Sequence, residues 1–131
     1  MAQYIFEGNY RHTSGFVKVR LLLFSFKDEN KVNIVYSPHL DLSGYGKTIV
    51  DAKESFNIAF QDFIDYTFKM KTFSKVMMRL GWQCKGLSAK SQKLVAPSIT
   101  SVIMENEYVS EIFDKYPVRT FHREVGLPAL I

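Results

Sequence analysis

Apolar positions between residues 51 and 65 recur with the period of a helix. Ala52, Phe56, Ala59, Phe60, Phe63 and Ile64 fall on a single stripe, while Asp51, Glu54, Asn57, Gln61, Asp62 and Asp65 take the other side. Thr48 stands where an N-cap belongs, and Asp51, three residues on, puts a negative charge in the first turn. Just before the helix, Ser43-Gly44-Tyr45-Gly46 reads as a tight glycine turn. A stripe with three phenylalanines has to lie on an apolar surface, and the preceding segment supplies one. Phe16 to Phe26 is rich in Val, Leu and Phe, Asp28-Glu29-Asn30 is a polar turn, and Lys31 to Tyr36 alternates with Val32, Ile34 and Tyr36 on one side. The pattern predicts an α+β fold in which a small antiparallel sheet, a hairpin plus short strands, packs on one long helix.

The first strand is apolar on both faces for part of its length. Val17, Val19, Leu21 and Leu23 share one face; the other begins with Lys18 and Arg20 but ends with Leu22, Phe24 and Phe26. One helix covers one face, so a second subunit or the C-terminal half of the chain is needed over the other. Leu22, Phe24 and Phe26 are therefore the candidate oligomer interface, and a homo-oligomer, a dimer or larger, is expected.

Beyond the long helix, Thr72 to Leu80 predicts a short helix with Phe73, Val76, Met77 and Leu80 inward and Gly81 as its stop. Trp82 to Lys85 fits a brief strand, and Gly86 to Ala96 a polar, basic connector. Pro97-Ser98 opens a helical pattern broken around Asn106 and ended by Pro117, and Val118 to Leu127 reads as a strand. Gln3 to Glu7 reads as a short strand and His12 to Gly15 as a turn. The 131 residues form one domain on this reading, with residues 1–70 as sheet and helix and 71–131 as a helical extension ending in a strand.

Several of these residues carry a resemblance. The run Val32 to Tyr36, then Ser37-Pro38-His39-Leu40, then Ser43 to Ala52 resembles the HicB-like antitoxin domain. That family has a strand, a Pro-x-Leu step, a short glycine-containing strand, and Gly-x-Thr followed by an acidic residue and Ala at the helix start. Pro38, Leu40, Gly46, Thr48, Asp51 and Ala52 match it, while Asp41-Leu42-Ser43 stands where the family continues with Pro-Gly-Cys-like residues. The resemblance covers roughly residues 16–70. It implies a partial ribonuclease-H-like sheet without catalytic residues, a bacterial toxin–antitoxin system, and a protein partner such as a small ribonuclease toxin. Members of that type also append DNA-binding helices, which makes an autorepressor the alternative.

Candidate chemistry adds little to that picture. Gly46-Lys47-Thr48 is the tail of a phosphate-binding loop, but Asp41 occupies the position of its first glycine and would repel phosphate. Cys84 is the single cysteine, so no internal disulfide forms, and His12, His39 and His122 are scattered, with no spacing that suggests pairing or zinc. Catalytic, cofactor and metal residues are all expected to be none. No apolar run is long enough for a membrane span and the N-terminus has no signal pattern, which points to the cytoplasm.

Charge is more informative. The net charge is +4, yet Lys69, Lys71, Lys75, Arg79, Lys85, Lys90 and Lys93 follow one another between Tyr66 and Met104 with no acid among them. Acid returns with Glu105, Glu107, Glu111 and Asp114. Lys69, Lys71, Lys75, Arg79 and Lys85 are the candidate contacts to nucleic acid or an acidic partner, set against the plainer reading of a solvated surface. The sequence reading is thus a non-enzymatic, antitoxin-type protein that oligomerises and binds a protein partner, with DNA binding through residues 66–93 as the alternative.

Overall fold

A computed structural model of the chain describes residues 16–85 and 93–128. The expected strand Gln3 to Glu7 and turn His12 to Gly15 lie outside the described residues, as does most of the connector after Lys85. Four strands form one antiparallel sheet: β1 (Phe16–Lys27), β2 (Asn33–Ser37), β3 (Leu42–Gly46) and β6 (Arg119–Pro128), in the order β3-β2-β1-β6. Between β3 and β6 run α1 (Ile49–Lys69), α2 (Phe73–Arg79), a small hairpin of β4 (Gln83–Lys85) and β5 (Lys93–Val95), then α3 (Ile99–Glu105) and α4 (Glu107–Lys115). The fold is α+β with a small antiparallel sheet and four helices among the described residues.

The β1–β2 turn is set by Asp28, whose carboxylate accepts the N–H groups of Asn30 at 2.8 Å and Val32 at 3.0 Å, while Lys31 takes φ 63°. Ser43 to Gly46 is no turn. It belongs to β3, an edge strand paired with β2 through Ile34↔Tyr45 and Val35↔Gly44. Its glycines answer to close approach: a Cβ on Gly44 would lie 2.2 Å from the Phe56 nitrogen and 2.6 Å from the Ala52 oxygen. The backbone of α1 rests directly on β3 there, and only glycine leaves room.

α1 begins as its sequence predicts. The Thr48 hydroxyl accepts the Asp51 N–H at 3.1 Å, and Ala52, Phe56, Phe60 and Ile64 are buried against Leu21, Leu23 and Val35. Phe63 packs on this core while partly exposed. The same core takes in Phe73 and Met77 of α2, Trp82, Leu94 of β5, and Val125 and Leu127 of β6. Two expectations change here. The basic connector contains β5, which pairs with β4 and buries Leu94. The terminal strand is no appendage: β6 runs beside β1 for ten residues, from Phe16↔Pro128 to Ser25↔Arg119.

The other face of the sheet carries a second core. Phe24, Phe26, Ile34 and Tyr36 are covered by Val109 and Ile112 of α4, with Ile99, Val102 and Ile103 of α3 packed alongside. Phe24 is 1% and Phe26 6% exposed, and Leu22 is half-buried in the same cluster. The candidate oligomer interface is therefore corrected: the C-terminal half of the same chain covers Leu22, Phe24 and Phe26, so no second subunit is needed there. Asn106 makes this possible by ending α3 and capping α4, its side-chain oxygen accepting the N–H groups of Tyr108 at 3.0 Å and Val109 at 3.3 Å.

Candidate partner-binding surfaces

The basic residues expected to act together gather at the far end of α1. Lys69 lies in its last turn, Lys71 takes φ 57° in the link to α2, and Lys75 and Arg79 stand one turn apart on α2. All four are exposed, with the exposed side chains of Tyr66, Met70 and Met78 on the same two helices. None forms an ion pair; among the described residues the single pair is Lys115–Glu111 at 2.9 Å. Lys85 ends β4, and its side chain lies outside the described residues. The segment after α2 opens with a hairpin strand, so among the described residues no second helix follows directly to complete a helix-turn-helix.

A second surface lies across the sheet, where β3 meets α4. Tyr36 on β2 is buried, and its hydroxyl donates to the Asp41 carboxylate at 2.7 Å and accepts from the Asn106 amide at 3.3 Å. The Tyr108 ring stands edge-on to the Tyr36 ring with centroids 5.0 Å apart. Burial first, then the hydrogen bond to Asp41, pushes the Tyr36 phenol well above its usual range. Burial likewise raises Tyr108, helped by the charges of Tyr45, Asp41, Glu111 and Asp28 nearby. Both phenols stay protonated at neutral pH, so they donate and pack and do not act as bases. Tyr45 and Tyr108 remain 58% and 44% exposed, and Phe113 is 42% exposed where its edge meets Phe24 at 4.9 Å. Glu107, Glu111 and Asp114 project from the same helix.

At the other end of α4, Tyr116 stacks on Phe26 at 5.1 Å and donates to the Glu29 carboxylate. That bond, first among its causes, pushes the Tyr116 phenol up to about 12 and lowers Glu29. The aromatic and acidic surface thus follows α4 from end to end.

Sequence reasoning found the acidic run from Glu105 to Asp114 but not the tyrosines. Tyr36, Tyr45 and Tyr108 come from three elements, the outer two 72 residues apart, and no local spacing links them. Asp41, which stands where a phosphate loop needs glycine, lies beside Tyr36, at φ 55° in the β2–β3 loop. Gly46-Lys47-Thr48 closes an antiparallel edge strand, with the Thr48 hydroxyl engaged in the cap. Among the described residues no three His, Cys, Asp or Glu side chains are grouped as a metal site, and no helix is long and apolar enough to cross a membrane.

Comparison with protein-family models, with curated proteins and with solved structures gives no match to this chain.

Proposed function

We propose that the chain is a non-enzymatic, cytoplasmic binding protein of the HicB-like antitoxin type, and that it holds a basic protein partner, such as a small ribonuclease toxin, on the surface of β3 and α4. The observation that carries this reading is the pair of half-exposed tyrosine rings, Tyr45 and Tyr108, with Asp41, Glu111 and Asp28 near Tyr108. Exposed aromatics supply contact area at low entropic cost, and the carboxylates favour a cationic partner over an anionic one. Self-association, which this type also requires, has the outer edge of β6 to use, since no described strand pairs with it.

The test is recovery of the natively expressed, tagged chain and identification of what remains bound. A small basic protein is expected, released by high salt and lost from a Tyr108→Ala, Glu111→Lys double variant but kept by Lys75→Ala, Arg79→Ala. A chain that elutes alone, or a partner that depends on Lys75 and Arg79, overturns the proposal.

The second reading, DNA binding, has its own observation: Lys69, Lys71, Lys75 and Arg79 are exposed, with no carboxylate of the described residues within pairing distance. On that reading duplex affinity falls steeply with salt, and neutralising Lys75 and Arg79 together lowers the log–log slope by about two. Titrations at two salt concentrations decide it.

A further inference from the structure

At the end of the sheet beneath the start of α1 there is a cavity of ≈ 330 Å³. Its polar lining comes from the strands. Ser25 and Lys27 alternate onto one face of β1; Arg119 of β6 stands directly across from Ser25, and Asn33 of β2 directly across from Lys27. Cross-strand neighbours of this kind hold their Cβ atoms about 4.5–5.5 Å apart. Phe26, Ile49 (the first residue of α1) and Pro117 complete the wall.

Three features set this cavity apart from an ordinary surface dent. Ser25 is only 9% exposed, yet its hydroxyl has no hydrogen-bond partner among the described residues, an arrangement folded proteins rarely leave unexplained. Among the described residues Lys27 and Arg119 are its only charged wall residues, and neither is in an ion pair. The 21-residue helix α1 places its first residue, Ile49, in the wall, so the positive end of its dipole lies beside the cavity. Asn33 fixes that end, its amide donating to the Lys47 carbonyl at 2.9 Å. Asp51, the one acid in the first turn of α1, is not in the cavity wall.

We propose that this cavity binds a small phosphomonoester. Two cations, a serine hydroxyl and a helix N-terminus match a group that carries a charge of nearly −2 at neutral pH, whereas a carboxylate would neutralise only one of them. The volume is at the lower end of the roughly 300–1,000 Å³ of small-ligand sites, larger than a bare phosphate needs. Ile49 and Pro117 provide an apolar surface for the esterified group. The site is distinct from the phosphate-loop motif: Lys47, the lysine of that motif, is not in the cavity wall, and Lys27 and Arg119 come from strands.

The test uses the full chain, with amide resonances followed as phenyl phosphate is added in about 0.15 M salt, and benzoate as a parallel arm. Saturable shifts are expected at Ser25, Lys27, Ile49 and Val50, with phenyl phosphate binding about tenfold or more tightly than benzoate. Arg119→Ala and Lys27→Ala, both at exposed positions, each weaken binding by about tenfold, the scale of one charge-assisted hydrogen bond. Lys47→Ala leaves it within about twofold. Absence of saturation, equal binding of benzoate, or a loss in Lys47→Ala as large as that in Arg119→Ala each overturns the assignment.

Discussion

The two faces of the sheet are closed in different ways. On the α1 face fourteen buried residues form one cluster, drawn from β1, β2 and β6 of the sheet, from α1, α2 and β5, and from the loop residues Leu40 and Trp82. On the α4 face six do, covered by two short helices, of which α3 has no buried residue. Where the first face has its rings Phe56, Phe60 and Phe73 buried, the second ends in rings that are half outside: Phe113 against Phe24, Tyr108 against Tyr36, Tyr116 against Phe26. The first is built for stability, the second leaves aromatic surface for something else. A core that is incompletely covered by its own chain is where a partner gains most by binding.

The comparison can be broken most directly by truncation. Phe60 is fully buried on α1, and Phe60→Ala should destabilise by about 3–5 kcal/mol in urea unfolding, much of the stability of a small domain. Ile112, equally inaccessible at 1% but on a short helix that can shift or be solvated, should lose only about 2 kcal/mol on Ile112→Ala. Equal losses at the two positions would mean that the faces contribute alike, and the distinction drawn between them fails.

A smaller effect is expected from Gly44→Ala. The new methyl group meets the backbone of α1 at Phe56 and Ala52, which has no flexible side chain to move aside. Overpacking of this kind costs about 1–3 kcal/mol. Since α4 packs across the sheet, the Tyr108 ring resonances should stay unchanged in NMR spectra while the α1 side loosens. A perturbed Tyr108 would show that the two faces are coupled through β3.

The asymmetry also decides what could be read from the sequence. The stripe on α1, the Thr48 cap, the Gly81 stop (φ +94°) and the break at Asn106 are local signals, and each has its counterpart in the structure. The both-sided β1 also required a second cover, and the C-terminal half was one of the two readings of it. What stayed hidden was non-local. Nothing near Leu94 signals that it pairs into a hairpin, and nothing near Gly44 separates a turn from an edge strand pressed by a helix. The cavity at the start of α1 joins residues of β1, β2 and β6, and the Tyr36–Asp41–Asn106 bonds join a strand, a loop and a helix junction. Periodicity reports faces; it does not report which faces meet.

Asn106 tests whether the second face depends on its polar junction. Asn106→Ala removes the cap of α4 and the amide donated to Tyr36, and should cost about 1–2 kcal/mol. Asn106→Asp keeps a capping oxygen and loses only the donor, so it should cost less. If the two variants are equally destabilised, the bond to Tyr36 and not the cap holds α4 in place.

The smallest predicted effect is a difference in pH response between the faces. His39, in the β2–β3 loop at the rim of the α1 core, is 8% exposed; its Nε2 donates to the Pro97 carbonyl at 2.8 Å and its own carbonyl accepts the Trp82 indole N–H at 2.7 Å. Burial holds its pKa below the ordinary value, and the Pro97 bond only partly opposes this. The unfolded chain therefore takes up the proton first as pH falls through about 6.5, and stability declines from there until the folded pKa is passed, by at most about 1.4 kcal/mol per pH unit. The α4 face has the opposite sign. Tyr36 and Tyr108 are raised, so the folded state keeps their protons longer, and their contribution is full at neutral pH and lost only as pH climbs past about 10. Urea unfolding of the parent and of His39→Gln at pH 7.5 and 5.5, roughly a unit either side of the histidine midpoint, isolates the first term. The parent should lose more stability than the variant on acidification, while Tyr36→Phe should track the parent across that interval. If His39→Gln shows the same acid sensitivity as the parent, the acid response arises elsewhere and the rim of the α1 core is not its source.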